Sequence, residues 1–200
     1  MPTKNGKLQF SSPIDKTKSA FFCYIEKAFA KLNGSYSNII NGNISIAIHS
    51  MFGNYYPIYK SINDLKNSAI KSKSTVFEKL MKYQNQKLAV IEANIHLDDS
   101  SLSEQEIKNK NLHINHSYLI MKVVRVKALN GLILICLQNP WGHSEWNGDF
   151  SDYSTCWTPE AKKELKLEQK DDGTFWMKEE DFVKYFTGIN MTKSITNNIN

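Results

Sequence analysis

The segment HSYLIMKVVRVKALNGLILICLQNPWG, His116 to Gly142, carries the strongest structural signal in this 200-residue chain. Two apolar runs, Ser117 to Val126 and Leu132 to Leu137, flank a break that ends in Asn130-Gly131, a dipeptide suited to the left-handed backbone of tight turns. The pattern predicts an antiparallel hairpin. Its open ends then lie side by side, with His116 entering the first strand and Asn139 leaving the second. A two-residue turn at Asn130-Gly131 would set Asn139 opposite Lys122, well along the strand from His116. Contact between the two side chains therefore requires a wider turn or a β-bulge that shifts the register.

Upstream of the hairpin, Phe21, Ile25, Ala28, Phe29 and Leu32 recur at helical spacing from Ala20 to Leu32, and Asn33-Gly34 supplies the stop. Ser35 to Gly53, rich in Asn, Gly and Ser with isoleucines at 44, 46 and 48, reads as short pieces joined by turns, with a lobe boundary near Gly53. Ser74 to Gln86 is periodic for a helix through Val76, Leu80, Met81 and Tyr83, and Leu88 to Ile95 reads as a buried strand. Asp98 to Lys110 reads as an exposed loop or weak helix. Downstream, Thr174 to Met177 reads as a short strand and Glu179 to Phe186 as a helix burying Phe182, Val183 and Phe186. The end of the chain, from 191, reads as a polar tail.

Composition narrows the function classes. A chain that is 41% hydrophobic can bury a real core. Of the 25 basic residues all but Arg125 are lysines, scattered singly among 20 acids. That is a solvated basic surface, and nucleic acid is not expected as a partner. No run approaches a membrane span, and the start is polar, so a cytoplasmic protein is expected. Cys23, Cys136 and Cys156 are too few and too irregularly spaced for a disulfide framework and fit a reducing compartment.

A histidine beside a carboxamide oxygen has its tautomer and ring orientation held, which leaves the second ring nitrogen free to take a proton from a thiol. His116 and Asn139 are candidates for that arrangement. On pattern alone the favoured reading is an ordinary histidine and a turn residue before Pro140.

The letters carry more than the pattern. NPWGHSEWNG (Asn139 to Gly148), Ser151-Asp152, Trp157, DGTFWM (Asp172 to Met177) and Asp181-Phe182 resemble, in order and spacing, a signature of the calpain family of cysteine proteases. NHSYLI (Asn115 to Ile120), IEKAFAKLNGSY (Ile25 to Tyr36) and PTKNGKLQF (Pro2 to Phe10) are similar to further segments of that family, so the resemblance runs over about residues 2 to 190. It implies an α+β, papain-like fold: residues 1–53 a remnant of the helical first lobe, 54–190 the antiparallel β lobe, and 191–200 a polar tail. It places the family's catalytic histidine on His116 and its catalytic asparagine on Asn139. It matches Trp141 to the tryptophan that covers the pair and shields their hydrogen bond from water.

The resemblance also implies a missing part. The family's nucleophilic cysteine lies in a Gly-x-Cys-Trp-type run upstream of the matched segments, and no such run occurs in this sequence. Cys23, Cys136 and Cys156 match no nucleophile and read as structural or incidental thiols. The expected function is thus that of a calcium-dependent cysteine endopeptidase acting on protein substrates, present without its cysteine-bearing amino-terminal half and inactive alone. A noncatalytic binding or regulatory module is the rival. Calcium is implied as a cofactor at Glu145, Asp152 and Asp172, which match the family's ligands in this lobe. Those acids could instead be solvated or cap backbone amides. Thr174 stands where relatives carry glutamate, which removes one carboxylate. Met51-Phe52-Gly53 replaces a Thr-Gly-Gly that relatives usually carry, which implies a stiffer hinge.

Overall fold

The computed structural model describes residues 3–4, 7–8, 21–39, 44–53, 55–85 and 88–194. The chain divides into two compact units, Met1–Gly53 and Asn54–Asn200. In the first, strands β1 (Thr3–Lys4) and β2 (Lys7–Leu8) pair antiparallel. Helix α1 (Phe21–Leu32) buries Cys23 and Ala30. It stops where the Gly34 N–H turns back to the Lys31 carbonyl, at a φ of +91° that only glycine adopts freely. The segment after it resolves into a 3₁₀ turn, Tyr36–Ile39, and helix α2 (Ile44–Phe52); residues 40–43 between them lie outside the described residues.

The second unit is a six-stranded antiparallel sheet in the order β3-β8-β4-β5-β6-β7. The strands are β3 (Tyr55–Ser61), β4 (Leu88–Ile95), β5 (His116–Val126), β6 (Leu132–Gln138), β7 (Thr174–Lys178) and β8 (Gly188–Ser194). Helices α3 (Ile62–Lys71) and α4 (Val76–Gln84) follow β3, and α7 (Glu179–Tyr185) follows β7. These three cover one face of the sheet, burying Leu65, Phe77, Leu80 and Phe182 against Ile95, Tyr118, Ile135 and Phe175. Helix α4 opens with a capping box between Thr75 and Glu78. Its next two free amides, Val76 and Phe77, donate to the carboxylate of Glu179 at 2.9 and 3.0 Å, which ties α4 to α7. Helix α6 (Pro159–Leu165) and the aromatic residues Phe150, Trp157 and Trp176 fill the opposite face at the β5–β7 end.

The expected hairpin forms, and its register is set by a widened turn and a bulge together, where contact between its ends called for one or the other. The connection is a 3₁₀ turn, Lys127–Leu129, followed by Asn130 and Gly131 with positive φ, so Val126 pairs with Leu132. A bulge between Ile120 and Lys122 then shifts the pairing once more, and Leu119 meets Gln138. The extra residue also flips the side-chain phase. Tyr118 and Ile120 face the large core before it, and Val123 does so after it, while Met121 and Lys122 are exposed.

One reading becomes definite and one is corrected. Of the two forms expected for 98–110, loop or weak helix, a short helix forms at α5 (Glu104–Lys108), whose Ser103–Glu106 capping box and buried Ile107 give it an anchor. The boundary at 190 falls inside β8, which continues to Ser194 with Met191 and Thr192 buried. Asn190, Thr192 and Lys193 raise the polarity of this strand, but it is paired on both sides, by β3 and by β4. Residues 195–200 of the expected tail lie outside the described residues.

Candidate active site

His116 is the first residue of β5, and Asn139 immediately follows β6, so the hairpin register brings both to one rim of the sheet. The His116 Nε2 lies 2.9 Å from the Asn139 Oδ1. The carboxamide cannot be turned over without loss, because its Nδ2 donates to the carbonyls of His143 at 2.8 Å and Ser144 at 3.2 Å. Its Oδ1 also accepts from the Trp141 N–H at 3.1 Å. The oxygen therefore faces the ring, Nε2 carries the proton, and Nδ1 is left as the basic nitrogen. Asn139 is fully buried, so these bonds form without competition from water.

Aromatic rings pack around the imidazole. Trp141 lies against His116 with centroids 4.3 Å apart, and Tyr118 meets it edge-on at 4.9 Å. Trp141 is 53% exposed, so it has one face on the pair and the other in solvent. Burial holds the His116 pKa below the ordinary histidine value against the opposing pull of the Asn139 bond, which keeps the ring neutral and able to accept a proton.

Sequence reasoning missed His113. Its ring packs on Trp141 at 4.5 Å and approaches His116 at 5.8 Å, and its backbone N–H donates to the Tyr118 hydroxyl at 2.8 Å. Its pKa is lowered by burial first and by the nearby His116 second. The spacing His113-x-x-His116 was the available signal, and it is too common to stand out in a loop before a strand.

The cysteines occupy other places. Cys136 lies on β6 with its side chain among Phe150, Trp157 and Trp176, on the sheet face opposite Tyr118, and burial pushes its pKa up to about 12. A thiol so placed stays protonated and unreactive. Cys156 sits in the loop before Trp157, packed against the same cluster, and Cys23 is buried in α1 of the other unit.

The expected calcium ligands are otherwise engaged. Glu145 Oε1 accepts from the N–H groups of Asp172 at 2.8 Å and Gly173 at 2.7 Å. Asp152 Oδ2 accepts from Lys170 N–H at 2.9 Å, and Asp172 Oδ1 from Thr174 N–H at 2.9 Å. The Lys170 ammonium lies 3.2 Å from Asp172 Oδ2. Among the described residues no group of three or more acidic, histidine or cysteine side chains is arranged to hold a metal. The set Glu145, Asp152 and Asp172 caps backbone amides, and the donors present do not fit a calcium ion, which needs six to eight oxygens. Burial raises the pKa of Glu145 and of Asp152, against the pull of the amides each accepts from, and neighbouring acids raise both further. Among the described residues no helix is long and apolar enough to cross a membrane.

Comparison with known proteins gives the family. A family model described as calpain family cysteine protease matches residues 1–193. The chain is 32% identical over 217 residues to Calpain-5 of Caenorhabditis elegans, covering 96% of this chain and 32% of that protein. It is 31% identical over 199 residues to the Calpain-1 catalytic subunit of Bos taurus, covering 94% of this chain and 25% of the relative. The chain thus spans between a quarter and a third of the length of these relatives.

Proposed function

Because the chain belongs to the calpain family of cysteine proteases, we propose that it supplies the base half of a papain-like endopeptidase site, with His116 as proton shuttle and Asn139 as its orienter. The observation that carries this reading is the 2.9 Å Nε2–Oδ1 bond, with the Asn139 amide oriented by His143, Ser144 and Trp141. In the reaction, His116 Nδ1 takes the proton of a cysteine thiol, and the thiolate attacks the carbonyl carbon of a peptide bond. His116 then gives that proton to the departing amine as the C–N bond breaks. A water molecule, losing a proton to Nδ1, attacks the thioester and frees the acid, and the cysteine recovers its proton. Asn139 holds the ring edge-on through both transfers, and Trp141 keeps water from their bond.

On this reading the first unit is the remnant of the helical lobe and the second is the β lobe, and the substrate is an extended segment of protein. The thiol comes from a cysteine-bearing segment other than Cys23, Cys136 or Cys156, so the 200-residue chain does not hydrolyse peptides alone. Calcium control is not assigned to this lobe, because its carboxylates are held by amides and by Lys170. Three cysteines without framework spacing suit a reducing compartment, and on this reading the protein works in the cytoplasm.

The test is complementation. The chain is mixed with the cysteine-bearing helical lobe of a calpain relative, and cleavage of a fluorogenic extended peptide is followed. The mixture should cleave, and His116→Ala should slow it by on the order of 10²–10⁴-fold. A thiol-reactive peptide electrophile should label the supplied lobe only. No cleavage above that of the separate parts, or labelling of a cysteine in the chain alone, would refute the reading.

A further inference from the structure

The loop before β7 supports the His116–Asn139 pair from behind. The Asn139 backbone N–H donates to the Gly173 carbonyl at 2.7 Å, and a Cβ on Gly173 would come within 2.6 Å of the Asn139 carbonyl oxygen. Loop and strand end therefore touch with no room for a side chain, and Gly173 also holds a φ of +85°. The Gly173 N–H is in turn held by Glu145, and the Lys170 N–H by Asp152. A continuous set of bonds thus runs from Glu145 through Gly173 to Asn139 and on to His116.

Charge makes this loop precarious. Glu145, Asp152, Glu168, Asp171 and Asp172 are crowded in or against it, and Asp152 feels the charges of both Asp171 and Asp172. Like charges so near one another need a counter-ion. One is present in the chain itself: the Lys170 ammonium lies 2.6 Å from Glu168 Oε2 and 3.2 Å from Asp172 Oδ2. A covalently attached ammonium is always at hand, whereas a bound ion is present only above its dissociation constant. It also repels a divalent cation, and Thr174 offers a hydroxyl where a further carboxylate would be needed.

We propose that Lys170 is an internal counter-cation that holds this acidic loop under Asn139 in the place of calcium, so that the His116–Asn139 pair is aligned without the ion. Lys170 is a positioning residue; it touches neither substrate nor the reacting atoms. The proposal rests on the reading of His116 and Asn139 as a working pair, and its test makes no use of proteolysis.

The test follows the His116 ring by nitrogen-15 NMR and the melting temperature in parallel. In the wild-type chain, millimolar calcium should move neither the melting temperature nor the His116 Nε2–H signal. Lys170→Gln, which removes charge from an exposed position and should fold, is expected to shift or broaden that signal, and Lys170→Arg should restore it. Lys170→Met combined with Thr174→Glu should convert the site: calcium then raises the melting temperature saturably and returns the His116 signal. The proposal is overturned by a saturable calcium response of the wild type, by an unchanged His116 spectrum in folded Lys170→Gln, or by a double variant indifferent to calcium. A chain that meets these expectations yet never cleaves with a cysteine-bearing lobe would refute the protease reading and leave the counter-cation standing.

Discussion

Two asparagines on one sheet are equally hidden from water and entirely different in their bonding. Asn139, at the rim beyond β6, is fully buried, and its carboxamide joins His116, Trp141, His143 and Ser144. Asn94, in the interior of β4, is 1% exposed, and among the described residues neither its oxygen nor its nitrogen has a partner. Two residues away on the same face of β4, Glu92 is equally buried and accepts one bond, from Asn190 at 2.9 Å. The difference lies in where each sits. Beyond a strand end the chain can curl back and offer amides and carbonyls, as residues 141–144 do. In a central strand the backbone groups are already spent on the ladder, so only other side chains can satisfy a buried polar one. A satisfied amide at a rim holds the ring beside it; an unsatisfied one in the middle of a sheet lowers stability.

Breaking the satisfied side should have the largest effect. Asn139→Ala removes the carboxamide and strands the carbonyls of His143 and Ser144, and chemical denaturation should show a loss of about 3 kcal/mol. A loss under about 1 kcal/mol would mean that the loop finds water as readily as it found Asn139, and the contrast with Asn94 would lapse.

Glu92 comes next, through pH. Burial raises its pKa to about 7, against the pull of the Asn190 bond. Its folded-state value lies above the unfolded one, so its stabilising contribution is present below about pH 4.5 and is lost as pH rises through about 7. Glu92→Gln keeps the acceptor for Asn190 and removes the ionisation. It should gain about 2 kcal/mol at pH 8 and little at pH 4.5, as read from denaturant midpoints across pH. Equal gains at both pH values would show that ionisation is not the cause. His116 runs the other way: its depressed pKa favours the folded state above the unfolded value, and that advantage fades as pH falls through the lowered one.

The smallest effect sharpens the comparison from the other side. Asn94→Val replaces two unpaired polar atoms with a β-branched side chain suited to a strand, and should stabilise the chain by about 1 kcal/mol in the same assay. Destabilisation of that size would mean that Asn94 has a partner after all.

Much of the architecture was legible in the residues. The hairpin, α1, α4, β4, β7 and α7 follow from periodicity and from Asn-Gly signals, because local pattern and burial agree there. Strand β8 escapes the sequence reading because alternate polar residues mimic a tail, and α5 stays open between loop and weak helix because its one buried anchor, Ile107, is flanked by charge. His113 went unseen because nothing local marks it; only the fold lays it on Trp141. The acids Glu145, Asp152 and Asp172 drew attention as hard ligands, whereas their oxygens accept from amides up to 28 residues away in the chain.

The letters alone determined the family, since motif order and spacing are properties of the chain, and they put His116 and Asn139 forward as a candidate pair. Tertiary structure decided whether those residues meet, through a widened turn and one bulged residue that no propensity ranks above its alternatives. It also decided which carboxylates face amides and which face the lysine beside them. Such choices depend on the free energy of the whole packed arrangement, where distant backbone groups compete for each oxygen, and a list of residues does not contain those distances.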